Sequence, residues 1–246
     1  MKTCRTSVQR TDSYRKVSLE LLLFFSGLAV TSAAHAARPL VTEDAGILDS
    51  GQCEIEMYFE RSRVSDEPQY YGGTLQPGCG VGFRTQLSAS AARSGGAPST
   101  RQVGFVGKTA IVPLSESSPG LTIGYSFEWS KASGESLRSD GGLLIAVVTL
   151  PLAQKWLAHA NAGWQRIQEP RDNPFFWALA IERESVGGTR LDLMAETYRD
   201  SGRSPWVAIG ARYNVIEERL SINASIAARG RSETETLFTL GARIGF

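Results

Sequence analysis

Residues 238–246 read Phe-Thr-Leu-Gly-Ala-Arg-Ile-Gly-Phe. Apolar side chains occupy every second position, with Thr239, Gly241 and Arg243 between them. Successive side chains of a β-strand point to opposite faces of the sheet. The pattern therefore predicts a strand with one aromatic or branched face and one face of small and polar residues.

The same alternation recurs along the chain after residue 50. In the first such segment Cys53, Ile55, Met57 and Phe59 alternate with polar residues, so the glutamates share one face. Further alternating segments begin near Val103, Leu121, Phe175, Leu191, Val207 and Leu220. Residues 74–83 and 143–150 alternate less regularly, and residues 87–93 and 156–166 form two further candidate strands. Together they predict about twelve strands, an even number as in bacterial outer-membrane barrels.

The two faces of these strands differ in a way that indicates a membrane. Small residues and charges together cannot fill a dry core, but they suit the polar interior of a barrel whose apolar face meets lipid. We therefore predict an all-β chain in which residues 51–246 form a transmembrane antiparallel β-barrel. Aromatic residues predicted near the strand ends fit the interfacial girdles of such barrels: Trp129, Trp156, Trp164, Phe175, Trp206, Tyr213 and Phe246.

The first 36 residues have the features of a secretory signal peptide. Five basic residues precede an apolar stretch at 21–30, and Ala34-His35-Ala36 fits a cleavage site. The apolar stretch has about half the length that a spanning helix needs. We expect cleavage after Ala36, export, and the outer membrane as the destination.

Charge and cysteine content exclude some functions. The leader holds five of the 26 basic and two of the 25 acidic residues, which leaves 21 basic and 23 acidic residues. This balance gives no support for nucleic-acid binding. Cys53 and Cys79 remain, at equal distances from residue 66 near the middle of a predicted loop. They would lie opposite each other on the first two strands, either as a disulfide or as two free thiols.

Connection lengths predict the topology. Short connections near 83–86, 151–155, 185–188 and 214–218 alternate with longer ones near 61–72, 94–101, 130–140 and 166–174. Short turns are periplasmic and long loops external, so both chain ends are predicted to be periplasmic. Residues 112–119 are an exception, because this longer connection would lie on the periplasmic side. Residues 37–50 form either a plug at the periplasmic mouth or a flexible lead-in.

Mirror symmetry about the hairpins predicts a belt of charges inside the barrel. Asp192 pairs with Arg212 about residue 202, and Glu182 pairs with Asp192 about residue 187. Strand closure brings Arg243 near Glu54 and Glu56. The belt is either a selectivity ring or a network of salt bridges that fills a narrow interior, and the mixture of signs favours the network.

The mature sequence gives little sign of catalysis. Its single histidine, His159, shares a polar face with Asn161 and Gln165, and no serine or acid is tied to it by spacing. One histidine makes a poor metal site. We expect no catalytic residues, no metal and no cofactor, and a histidine that fills the lumen.

The ends of the chain resemble known outer-membrane proteins. Residues 38–46, Arg-Pro-Leu-Val-Thr-Glu-Asp-Ala-Gly, and 51–56, Gly-Gln-Cys-Glu-Ile-Glu, resemble the opening of a family named for the meta-pathway of phenol degradation. Its members are described as transporters or channels. The last seven residues resemble the C-terminal signal that the barrel-assembly machinery reads, with Phe246 as its terminal aromatic residue.

The resemblance implies an outer-membrane channel or transporter-like barrel that passes small, aromatic or otherwise hydrophobic molecules. The alternatives are a non-conducting structural or adhesive outer-membrane barrel and a soluble periplasmic lipid-binding barrel. The expected partners are outer-membrane lipid and lipopolysaccharide, the barrel-assembly machinery and a small-molecule substrate, but no nucleic acid.

Overall fold

Twelve antiparallel strands close into one barrel, as the alternation predicted. The computed structural model describes residues 40–64, 69–95, 99–168, 173–199, 204–230 and 234–246. The predicted signal peptide lies outside these residues. The strands are β1 Cys53–Val64, β2 Tyr70–Gly82, β3 Thr85–Gly95, β4 Thr100–Val112, β5 Gly120–Ala132, β6 Arg138–Ala153, β7 Trp156–Ile167, β8 Phe175–Arg183, β9 Leu191–Arg199, β10 Trp206–Ile216, β11 Leu220–Gly230 and β12 Thr234–Gly245. Each strand pairs with its neighbours in the chain, and β12 pairs with β1.

The two faces of the strands divide as the sequence predicts. Large apolar side chains such as Phe59, Leu144 and Ile209 point outward and are 44%, 54% and 62% exposed, as expected of a wall that faces lipid. Polar side chains such as Thr122, Glu182 and Asp192 point inward and are buried. The fold therefore places its polar residues in the lumen. No helix in the described part of the chain is long and apolar enough to cross a membrane.

One aromatic residue of the predicted girdle has the opposite orientation. Trp206 is 4% exposed and points into the lumen, where its ring stacks on Tyr198 and lies beneath the guanidinium of Arg229. The other six predicted girdle residues are exposed on the surface of the barrel. The girdle prediction is wrong at Trp206, because Val207 and Ile209 face outward and strand alternation therefore places the neighbouring Trp206 in the lumen.

The start of β1 and the end of β12 lie together at one end of the barrel. The backbone N–H of Cys53 donates a hydrogen bond to the carbonyl of Phe246 at 2.8 Å. We call this the turn end and the opposite end the loop end. The predicted long loops are shorter than expected, because β1 continues to Val64 and β2 begins at Tyr70. Much of the range 61–72 is therefore strand.

A disulfide joins the first two strands. Cys53 and Cys79 are paired in register, and their Cα atoms are 4.1 Å apart. We expect the folded protein to show, by intact-mass spectrometry without reductant, the mass of a chain that has lost two hydrogen atoms. Reduction should restore both. Alkylation of two thiols in the untreated, unfolded chain would contradict the disulfide.

Candidate functional site

A buried ionic cluster fills one side of the lumen at the turn end. Arg212 on β10 contacts the carboxylate of Glu182 on β8, and its Nε donates to Asp192 Oδ2 at 3.0 Å. All three residues are at most 5% exposed. Asp192 also accepts hydrogen bonds from the backbone N–H of Ser185 and from Asn214. One guanidinium thus bridges two carboxylates, and this part of the predicted belt is a salt-bridge network.

A second ionic pair lies at the same end of the lumen, between β1 and β12. The Nε of Arg243 on β12 donates to Glu54 Oε2 at 2.6 Å, and Gln86 donates to the other oxygen of Glu54 at 3.0 Å. Glu56 lies opposite Arg243 in the strand register and accepts a hydrogen bond from Gln76 at 3.3 Å. Of the six belt residues, Arg212 therefore pairs with Glu182, and Arg243 pairs with Glu54. Arg212 also bridges to Asp192, and Glu56 lies beside Arg243.

The turn below the first cluster adds another acid. Glu184 lies between β8 and β9, outside the spanning strands, and is half-buried. Burial raises the pKa of this carboxyl above its ordinary value, and the nearby carboxylates of Glu182 and Asp192 raise it further. Three acids, Glu182, Glu184 and Asp192, therefore lie close to Arg212.

Between the two clusters runs the chain segment that precedes β1. We call residues 40–48 the plug segment, because Leu40, Thr42, Asp44, Ala45 and Leu48 are all buried inside the barrel. The segment has no regular secondary structure. Its backbone is held by lumen side chains rather than by a neighbouring strand. It is thus an occupant of the lumen and not part of the wall.

Hydrogen bonds to the plug segment come from six strands. The backbone N–H groups of Val41 and Thr42 and the hydroxyl of Thr42 donate to Glu196, the last at 2.7 Å. Glu43 exchanges two hydrogen bonds with Asn161, at 2.7 and 2.8 Å. Four other strands contribute the following contacts: Ala45 N to Thr149 Oγ1, Thr122 Oγ1 to Ala45 O, Leu48 N to Gln86 Oε1, and Lys108 Nζ to Glu43 Oε2.

The wall is shaped to receive this segment. A Cβ at Gly80 on β2 would lie 2.1 Å from the carbonyl oxygen of Asp49 and 2.5 Å from that of Leu48. No side chain could be accommodated there unless the backbone of the plug segment moved. Lys108 lies between the carboxylates of Glu43 and Asp44, at 3.3 and 3.7 Å. The wall thus provides both space and a counter-charge for the segment.

Little open space remains beside the plug segment at the turn end. The gap between Glu54, Gln86, His159 and Glu182 has a volume of about 40 Å³. A water molecule needs at least about 10–15 Å³ of such volume, so the gap holds roughly three waters. This gap is too small for an organic solute.

Above the plug segment the lumen opens into a cavity of about 280 Å³. Gln102, Ser126, Glu128 and Leu143 also line a second cavity of about 320 Å³, which lies toward the loop end. The polar wall of the first cavity contains Tyr58, Glu60, Thr74, Gln76, Ser90, Lys108 and Ser126. Among the described residues, open space therefore extends from the upper part of the strands to the top of the plug segment.

The opposite wall of this cavity is apolar, which the sequence analysis missed. Leu143, Ile145 and Val147 on β6 and Phe176 on β8 point inward and pack with the lumen cluster that includes Ala178 and Trp206. The signal was present in residues 143–150, which are apolar on both faces. A strand of this kind in a membrane barrel marks an apolar part of the lumen.

His159 lies below the cavity, under the plug segment. It is 4% exposed, its Nδ1 is 3.0 Å from the hydroxyl of Thr149, and its Nε2 is 3.6 Å from Glu182. The same hydroxyl accepts the N–H of Ala45. The imidazole therefore fills the lumen and supports the residue that holds the plug segment.

Comparisons with solved structures show the fold. The KdgM porin, in a complex with disordered oligogalacturonate, aligns with a TM-score of 0.59 at 8% identity, over 78% of this chain and 99% of that one. The NanC porin aligns with a TM-score of 0.55 at 10% identity, over 77% and 98%. At these identities the likeness establishes a twelve-stranded outer-membrane type of barrel and nothing about substrate.

Sequence comparisons give the family. No curated protein matches the sequence. The resemblance of residues 38–60 to the phenol meta-pathway family is not confirmed. One family model, described as uncharacterised conserved protein UCP029691, matches residues 24–246, and the chain belongs to that family.

Proposed function

We propose that this protein is an outer-membrane channel for small amphipathic molecules, closed at its turn end by the plug segment. The turn end, where β1 begins and β12 ends, faces the periplasm, and the loop end faces outside. The barrel fold, the apolar outer wall and the similarity to porins support this location. A solute would enter from the loop end and pass when the plug segment moves.

The two-sided cavity is the observation that carries the proposal. Its volume of about 280 Å³ suits a small molecule rather than a polymer. Leu143, Ile145 and Phe176 offer apolar contact on one side, and Tyr58, Glu60 and Gln76 offer hydrogen-bonding groups on the other. Such a lining favours molecules with an apolar part and a polar or positively charged group.

A non-conducting barrel is the second candidate, and the narrow gap of about 40 Å³ beside the plug segment favours it. Two features support the channel instead. The plug segment is bound by side-chain hydrogen bonds rather than by strand pairing, and the space above it is open. Catalysis has less support, because His159 is enclosed by Thr149, Glu182 and the plug segment.

Filling the cavity should stop transport. Ala92 on β3 lines the cavity, whereas Ala89 on the same strand points outward. We expect liposomes with the intact protein to take up a small aromatic amine faster than protein-free liposomes. Ala92→Trp should reduce uptake to the protein-free rate, because an indole occupies a large part of the cavity.

Ala89→Trp is the matched control and should transport like the intact protein. Heat-modifiable gel migration verifies that each variant is folded. Uptake by the intact protein at the protein-free rate would contradict the channel. Equal uptake by the Ala92→Trp variant and the intact protein would place the pathway outside the cavity.

A further inference from the structure

Three basic residues lie side by side on the outer surface of the barrel near the loop end. Arg93 on β3 is directly opposite Arg101 on β4, and Arg101 is directly opposite Lys131 on β5. All three are exposed and occupy outward-facing positions of their strands. We call them the cationic row.

In the described part of the chain, no acidic side chain neutralises the cationic row. Among the residues that the structure describes, none forms an ion pair or side-chain hydrogen bond with Arg93, Arg101 or Lys131. Like charges directly opposite each other on neighbouring strands are destabilising. An external anion that contacts all three would relieve the repulsion.

The surroundings of the row are basic as well. In the loop half of the described strands, every charged residue at an outward-facing position is basic. These residues are Arg61, Arg63, Arg93, Arg101, Lys131, Arg166 and Arg199. The acids at this level, including Glu60, Glu128 and Glu235, occupy inward-facing positions. The charge of this outer surface therefore favours an anionic partner.

Directly below the row, the outer wall forms an apolar groove. Arg93 and Arg101 line its upper rim. Gly73 and Ala91 leave a shallow floor between the larger side chains of Phe59, Leu75 and Val103, and the groove volume is about 840 Å³. The groove thus offers apolar contact to a chain-like group that begins at the guanidinium groups.

The depth of the row matches the lipid headgroups. Trp129 faces outward two residues before Lys131 on the same strand, paired with Val103. Two residues of a strand span about 7 Å. Aromatic residues of membrane barrels lie at the membrane–water interface. The cationic row therefore lies at headgroup level, and the groove lies in the hydrocarbon layer.

We propose that the cationic row and the groove bind a phosphorylated glycolipid of the outer leaflet, lipopolysaccharide. The guanidinium groups of Arg93 and Arg101 and the ammonium group of Lys131 contact its phosphates, and one acyl chain lies in the groove. Guanidinium groups bind phosphate oxygens in a bidentate manner, which favours a phosphate over a diffuse negative surface. The site lies on the outer wall and is independent of whether the lumen conducts.

Native mass spectrometry of the folded protein tests the site. The probe is lipid A with two phosphates, and the comparison lipids are dephosphorylated lipid A and phosphatidylglycerol. We expect one lipid A molecule to bind in preference to both others. The triple variant Arg93→Gln, Arg101→Gln, Lys131→Gln should bind lipid A on the order of a hundredfold more weakly, since each basic group near an anionic surface contributes to the affinity.

A matched control removes three positive charges at the opposite end. Arg84, Lys155 and Arg219 lie in exposed turns at the turn end, and their replacement by glutamine should leave lipid A binding unchanged. Equal binding by the triple variant of the row and the intact protein would overturn the proposal. Equal binding of phosphatidylglycerol would also overturn it, because the surface would then attract any anionic lipid.

The groove has its own test. Ala91→Phe fills the floor without changing a charge and should weaken binding of lipid A, whereas Ala89→Phe, outside the groove lining, should not. If both variants bind lipid A as tightly as the intact protein does, the acyl chain does not lie in the groove.

Discussion

A chain that lacks residues 40–47 should give sustained, discrete conductance steps in a planar bilayer, where the intact protein should open only briefly. The physical reason is steric. The plug segment leaves a gap of about 40 Å³ at the turn end, and its removal joins that gap to the cavity of about 280 Å³ above. The strands keep all their pairing, so the barrel should remain folded.

The open channel should prefer cations. Without the plug segment, the strand residues that line the turn half of the lumen include five acids and three bases. These residues are Glu54, Glu56, Glu182, Asp192, Glu196, Lys108, Arg212 and Arg243. Rings of carboxylates favour cation passage. Reversal potentials in a salt gradient measure this preference.

The single substitution Glu196→Ala should give an open fraction between those of the intact protein and the deletion variant. Glu196 accepts hydrogen bonds from Val41 and from two groups of Thr42. Hydrogen bonds to a charged group contribute about 2 kcal/mol, so Glu196→Ala should raise the open fraction roughly thirtyfold. Glu235→Ala is the matched control, because this lumen carboxylate pairs with Arg229 instead.

A folded deletion variant without conductance steps would contradict this explanation of closure. The two arginine clusters of the strands would then close the lumen by themselves. The non-conducting barrel would be the better description of the protein. Heat-modifiable migration in gels separates this result from a failure to fold.

Mirror symmetry predicted strand register wherever a hairpin is regular. It placed Cys53 opposite Cys79 and Asp192 opposite Arg212, and both pairs occur in the structure. It failed for Glu182, which lies opposite Met194 rather than Asp192. The turn between these strands contains a 3₁₀ turn, Val186–Gly188, with Gly187 and Gly188 at positive φ. This turn shifts the centre of the hairpin by one residue.

The path of the plug segment could not be predicted from sequence. Periodicity fixes which side chains of a strand share a face, but residues 40–48 have no periodicity. Their position depends on hydrogen bonds with side chains far along the chain, such as Asn161 and Glu196. The apolar part of the lumen was hidden for a related reason. Alternation identifies a polar face, and β6 has none over much of its length.

Arg212→Ala should reduce the stability of the barrel by about 3–5 kcal/mol, because removal of one partner from a buried ion pair leaves an uncompensated charge. Arg212 is 5% exposed, and it contacts Glu182 and Asp192, which are 2% and 3% exposed. The loss leaves two carboxylates buried without their cation. The midpoint of urea unfolding in lipid vesicles, monitored by heat-modifiable migration, measures the change.

Two further variants identify the cause as charge. Arg138→Ala breaks an ion pair with Glu135 in which both side chains are about half-exposed, so the expected change is within about 1 kcal/mol. Arg212→Met combined with Glu182→Gln and Asp192→Asn removes the whole cluster of charges and should recover most of the stability. If the triple variant is as unstable as Arg212→Ala, packing rather than charge stabilises the cluster. If stability is recovered, the barrel folds without charges in this part of the belt. The remaining role of these charges is then to select the ions that permeate.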